Sequence, residues 1–162
     1  MDLASLAARL QELALERGFS VGTAESCTGG LIGHSLTAIP GSSAYFVGGV
    51  VSYSDALKVD LLGVPAEAIE RHGAVSAQVA VAMVDGARAR LGCDYAVSVT
   101  GVAGPDGGTP AKPVGLTYVA AAGPLGHRVV RHLWDGGRTA NKERSAAAAM
   151  ELLLALIEGE GT

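Results

Sequence analysis

Short runs rich in β-branched residues alternate with stretches of helical periodicity along the whole chain, and few folds can absorb that alternation. Leu3, Leu6, Leu10 and Leu13 form a helical stripe over residues 3–17, and Gly18 is placed to end it in a left-handed conformation. Residues 19–23 read as a strand, after which Thr28 is positioned to cap a helix carrying Leu31, Ile32, His34 and Leu36 as far as Pro40 and Gly41. Residues 45–53 read as a strand bent or bulged at Gly48 and Gly49. Ser54 and Asp55 begin a short helix through Lys58 to Leu62, and Ser76 begins a longer one with Val79, Met83, Ala87 and Leu91 on its apolar side. A third strand spans residues 95–100, and a hairpin pairs residues 115–122 with 127–134 across Gly123, Pro124 and Gly126. The Ala-rich residues 138–158 supply a last helix with Ala149, Leu152, Leu153, Leu156 and Ile157 facing inward, and the tail beyond it should fray. Helices placed between strands must cover both sheet faces, which predicts a three-layer α/β/α sandwich with a mixed sheet, one domain over residues 1–162. Strand order stays open.

Composition limits what such a domain can do. With 162 residues, 49% of them hydrophobic, the chain can bury one core without disulfides or a structural metal. A net charge of -4 and only 12 Lys plus Arg argue against a nucleic-acid footprint. No apolar run is long enough for a membrane span and no leader-like segment follows Met1, so a cytoplasmic protein without membrane contact is expected. Cys27 and Cys93 are too far apart for a zinc-type motif, and the four histidines show no ligand spacing, so no metal and no cofactor is expected.

Three segments carry candidate chemistry. Thr23-Ala24-Glu25-Ser26-Cys27-Thr28-Gly29-Gly30 lies between a strand and a helix, where free backbone N–H groups favour an anion. Glu25 there either orients a ligand amide or hydroxyl or stabilises the helix start. Gly41-Ser42-Ser43 precedes the second strand and Tyr53-Ser54-Asp55-Ala56-Leu57-Lys58 follows it, so a bend at Gly48-Gly49 would be needed to bring Ser43 and Lys58 together. A serine with a lysine desolvated enough to be neutral makes a nucleophile and base without histidine. Thr100, Gly101 and the Gly- and Pro-rich residues to Val114 place a hydroxyl and many amides at a strand end, where open α/β sheets hold ligands. Lys112, Arg138 and Lys142 read locally as surface charges.

The blocks A-E-S-C-T-G-G, G-S-S-A-Y-F, Y-S-D-A-L-K and S-V-T-G-V-A-G-P-D-G-G-T-P-A-K-P-V-G occur in an order that resembles the CinA C-terminal domain family, over about residues 5–155. The resemblance implies a homodimeric α/β protein with nicotinamide mononucleotide amidohydrolase activity of the PncC type, in its stand-alone form. It puts the nucleophile on Ser43, the lysine on Lys58 and supporting hydroxyls on Tyr53, Ser26 and Thr100. It assigns Glu25, Thr28, Gly29 and Gly30 to the first ligand loop, with Gly101, Lys112 and Lys142 as further substrate contacts. Asp55 stands where the family pattern usually has Asn, and Lys142 where it has an Arg, whose bidentate fork a lysine lacks. The alternative is a nucleotide-binding module without turnover that serves a competence or damage response through a partner. A phosphate-ester hydrolase ranks lower, because no carboxylate cluster for a metal is visible.

Overall fold

The computed structural model describes residues 1–160 and contains one five-stranded sheet between two helical layers. Helix α1 (Leu3–Arg17) is closed at both ends as its sequence dictates: the Asp2 carboxylate accepts from the Ser5 amide, and Gly18 at φ 72° donates its N–H to the Ala14 carbonyl. Strand β1 (Val21–Glu25) is buried along its length. It starts two residues later than expected, because Ser20 is held outside the ladder by the Asp94 carboxylate. Helix α2 (Leu31–Thr37) follows, then a single 3-10 turn at Ser42–Ala44 and strand β2 (Phe46–Val51).

Helices α3 (Asp55–Leu62), α4 (Ala66–His72) and α5 (Ala77–Leu91) connect β2 to β3 (Tyr95–Gly101). Ser54 and Ser76 cap α3 and α5 through their hydroxyls, as the sequence predicts. The short α4 was not expected; it starts after Pro65 and buries no residue fully, so it leaves little periodic signal. Strands β4 (Leu116–Gly123) and β5 (Gly126–Leu133) form the hairpin, and α6 (Arg138–Glu160) closes the fold. The frayed tail expected beyond residue 158 falls partly within α6, and its last two residues lie outside the described ones.

The sheet runs β2-β1-β3-β4-β5, with β1 parallel to both β2 and β3 and the other pairs antiparallel. One face packs on α1, α2 and α6 through Leu6, Leu10, Ile32, Met150 and Leu153 against Val21, Val97, Val99 and Val119. The opposite face packs on α3, α4 and α5 through Leu62, Ile69, Val79, Met83 and Val84 against Ala24, Ala96 and Ala120. Small residues on this face let the helices come close: a Cβ at Gly86 of α5 would stand 1.8 Å from the Leu62 carbonyl oxygen of α3. That contact fixes α3, and with it Lys58. Among the described residues no helix is long and apolar enough to cross a membrane.

The register slips between Val21 and Gly22, leaving Val47 as the extra residue just before Gly48 at φ 146°. This is the distortion the glycine pair predicts, but it does not fold the strand back. From Gly48 to Val51 the strand pairs in step with β1. Ser43 therefore sits before the amino end of β2 and Lys58 beyond its carboxyl end, roughly 20 Å apart at about 3.3 Å per residue.

Candidate active site

The two parallel pairs send the carboxyl ends of β1, β2 and β3 to the same edge of the sheet. Their connections leave on opposite faces, α2 on one and α3 to α5 on the other. Such a switch point opens a crevice at the strand ends. A cavity of about 190 Å³ occupies it, lined among others by Ser26, Tyr53, Asp55, Lys58, Thr100 and Gly101. Larger hollows of about 470 and 460 Å³ lie at the start of α1 and beside the β4–β5 turn, and neither gathers a nucleophile and a base.

Lys58 is 1% exposed, which is rare for a lysine and demands that its amine be fully partnered. Its Nζ donates to the backbone carbonyls of Ser52 at 2.8 Å and Tyr53 at 3.1 Å, and lies 3.1 Å from Ser26 Oγ. Burial pulls the amine below the ordinary lysine range, while the Asp55 and Cys27 side chains pull it back up. Once neutral, the amine keeps two N–H groups for the two carbonyls, and its lone pair is left facing the Ser26 hydroxyl. A hydroxyl and a desolvated amine from residues 32 apart in sequence thus meet, groups that can act together as nucleophile and base.

Ser26, not Ser43, is thus the serine that meets Lys58, which corrects the pairing expected from the sequence. Ser43 is exposed in the 3-10 turn at the far end of β2. Ser26 follows the last residue of β1 and is anchored by its amide on the Val99 carbonyl at 3.0 Å. Cys27 beside it cannot compete as nucleophile, because burial pushes its thiol up to about 12.

Both oxygens of Glu25 are engaged by helix α2 and its approach. Its Oε1 accepts from the Thr28 hydroxyl at 2.6 Å and the Ile32 amide at 2.9 Å, and its Oε2 from the Gly33 amide at 3.0 Å. The anion expected at the start of α2 is this carboxylate, and Thr28 orients it instead of capping the helix itself. Gly30 lines a separate hollow between α2 and β2, and Gly29 lies against the Lys142 ammonium. The turn that carries Ser26 is therefore locked from beneath by a buried carboxylate.

Lys112 also departs from its expected role as a substrate contact. Its ammonium donates to the His72 carbonyl at 3.1 Å and to the Val75 carbonyl, strapping the loop after β3 to the turn before α5. Arg138 and Asn141 of α6 hold the other end of that loop through the carbonyls of Gly104 and Ala103. Thr100 lines the cavity with its hydroxyl donated to the Ala74 carbonyl at 2.8 Å. Tyr53 forms the rim: it is 61% exposed, and its hydroxyl accepts from Arg138 at 3.4 Å. Arg138 was expected only as a surface charge and Asn141 was not singled out in the sequence; the structure buries Asn141 against this loop. Among the described residues no group of three or more His, Cys, Asp or Glu side chains is arranged to hold a metal.

Residues 3–157 match the family model of the CinA C-terminal domain. The chain belongs to the CinA C-terminal domain family. A CinA-like protein of Parasynechococcus marenigrum is 57% identical over 122 residues, covering 75% of this chain and 29% of that protein. Another from Prochlorococcus marinus is 47% identical and covers 96% of this chain and 37% of its own length. The chain thus spans about a third of the length of these curated relatives. Among solved structures, the competence/damage inducible protein CihA of Agrobacterium tumefaciens superposes with a TM-score of 0.94 at 43% identity, covering 96% of both chains. A CinA superfamily protein of Klebsiella pneumoniae reaches 0.93 at 31% identity, covering 98% of this chain and 99% of its own.

Proposed function

We propose that this CinA domain is a nicotinamide mononucleotide amidohydrolase in which Ser26 is the nucleophile and Lys58 its general base. The observation that carries the reading is the buried Lys58 amine, held by two carbonyls and facing the Ser26 hydroxyl. Lys58 takes the Ser26 proton as Oγ bonds to the carboxamide carbon. The tetrahedral oxyanion then collapses, the C–N bond breaks, and the Lys58 ammonium returns the proton to the departing nitrogen, releasing ammonia. Water, deprotonated by Lys58, attacks the ester carbon, and the C–O bond to Ser26 breaks as the Lys58 ammonium returns the proton to Ser26 Oγ, giving nicotinic acid mononucleotide and the free enzyme.

The size and charge of the site support a nucleotide substrate. A cavity of about 190 Å³ seats a pyridine carboxamide, with the ribose phosphate left at the rim. There Lys142, whose ammonium lies by Gly29, and Arg138, beside the Tyr53 hydroxyl, provide the positive charge a phosphate requires, and the Tyr53 ring provides an aromatic wall. The chain acts as a cytoplasmic homodimer without nucleic-acid or membrane partners in this reading. Unpaired edge strand β2 and helix α3 present Val47, Val51, Leu57 and Leu61 as an apolar contact surface for the second copy.

Purified protein incubated with the mononucleotide should release ammonia and nicotinic acid mononucleotide in equal amounts. Binding without ammonia release would instead favour the non-catalytic nucleotide module.

A further inference from the structure

Asp55 is the one carboxylate among the residues that line the cavity, where Lys58 is the one cation. It opens helix α3, but the cap itself is made by the Ser54 hydroxyl, so the helix does not need a charge at position 55. Among the described residues no hydrogen bond or ion pair engages the Asp55 carboxylate, whereas Glu25 nearby has both oxygens bound into α2. The other charges around the mouth are cations: Arg138 at the Tyr53 hydroxyl and Lys142 at Gly29. The cavity is therefore polarised, with one uncommitted carboxylate on the α3 wall and cations on the α6 side.

We propose that Asp55 sets the charge of the ring the cavity accepts, favouring a cationic N-substituted pyridinium carboxamide over a neutral aromatic carboxamide of the same shape. This rests on the amidohydrolase reading and adds a specificity determinant to it. A ring whose carboxamide reaches Ser26 shares a cavity of this size with Asp55, so a positive charge on the ring is attracted to the carboxylate, which is itself solvent-exposed. The same carboxylate disfavours the product, whose new negative charge forms in the cavity, and so assists release.

The test compares nicotinamide mononucleotide with its benzamide counterpart, which carries the same ribose phosphate on a neutral ring, in wild type, Asp55→Asn and Asp55→Glu. Wild type should prefer the pyridinium, and Asp55→Asn should reduce that preference in kcat/KM on the order of 10-fold, chiefly through KM, with stronger inhibition by the carboxylate product. Asp55→Glu should restore the preference. Asp55 also supports the protonated form of Lys58, but that effect is common to both substrates and cancels in the ratio. An unchanged ratio in Asp55→Asn would overturn the proposal. If neither carboxamide is hydrolysed, the amidohydrolase reading fails instead. Calorimetry of the two nucleotides against wild type and Asp55→Asn then still decides the charge preference, and equal affinities, or no binding of either, would overturn it.

Discussion

Two lysines flank the same crevice, and each gives its ammonium to two backbone carbonyls, yet they do different things. Lys58 reaches the carbonyls of Ser52 and Tyr53 from within α3 and has a hydroxyl, Ser26 Oγ, as its third neighbour. Lys112 reaches the carbonyls of His72 and Val75 from a loop and has no third partner among the described residues. Lys58 is almost fully buried and Lys112 only partly. Carbonyl partners alone suit a strap; burial together with a hydroxyl facing the free valence suits the base proposed for Lys58.

The comparison breaks most sharply at Lys58. Lys58→Arg keeps a positive charge but cannot yield a proton near neutral pH, so ammonia release should fall on the order of 1,000-fold or more while the circular dichroism spectrum is kept. An arginine variant with substantial turnover would make Lys58 an anchor like Lys112. Lys112→Met should act on binding: loss of the strap loosens residues 102–114, raising KM by about 10-fold with a smaller effect on kcat and faster amide exchange in that loop. A collapse of kcat with unchanged loop exchange would show that Lys112 takes part in the chemistry.

A smaller effect separates the two lysines by stability. Between the lowered value in the folded chain and the ordinary 10.5 of a free lysine, the unfolded chain binds more protons at Lys58 than the native one does. Wild-type stability from this group therefore rises with pH across that window and is lost as pH falls through the folded value. Lys58→Met has no such titration, so its melting temperature relative to wild type should fall as pH rises through that window toward 10.5. A relative melting temperature that rises with pH would reverse the sign assigned to burial.

Much of this architecture is legible in the residues. The leucine stripe and Gly18 give α1, Ser54 and Ser76 give the starts of α3 and α5, and the β4–β5 hairpin follows from its glycines. Three of the four motif blocks supply residues that line the cavity, while the block carrying Ser43 lies at the far end of β2. The pairing within the site was less legible, because Ser43 and Lys58 are near in sequence but lie at opposite ends of one strand. Ser26 and Lys58 each follow a strand carboxyl end, and adjacent parallel strands bring those ends together. Strand order decides between the two serines, and a period-2 pattern carries no information about it. The choice between the two roles open for Glu25 depended on the same kind of information: its partners Ile32 and Gly33 belong to a helix whose approach angle only packing defines.

The pairing of Ser26 with Lys58 is the central claim, and ammonia release from nicotinamide mononucleotide by Ser26→Ala and Ser43→Ala, measured side by side on folded protein, tests it most directly. Ser26→Ala should be silent and Ser43→Ala close to wild type. A silent Ser43→Ala beside an active Ser26→Ala would contradict the account and return the nucleophile to the other end of β2.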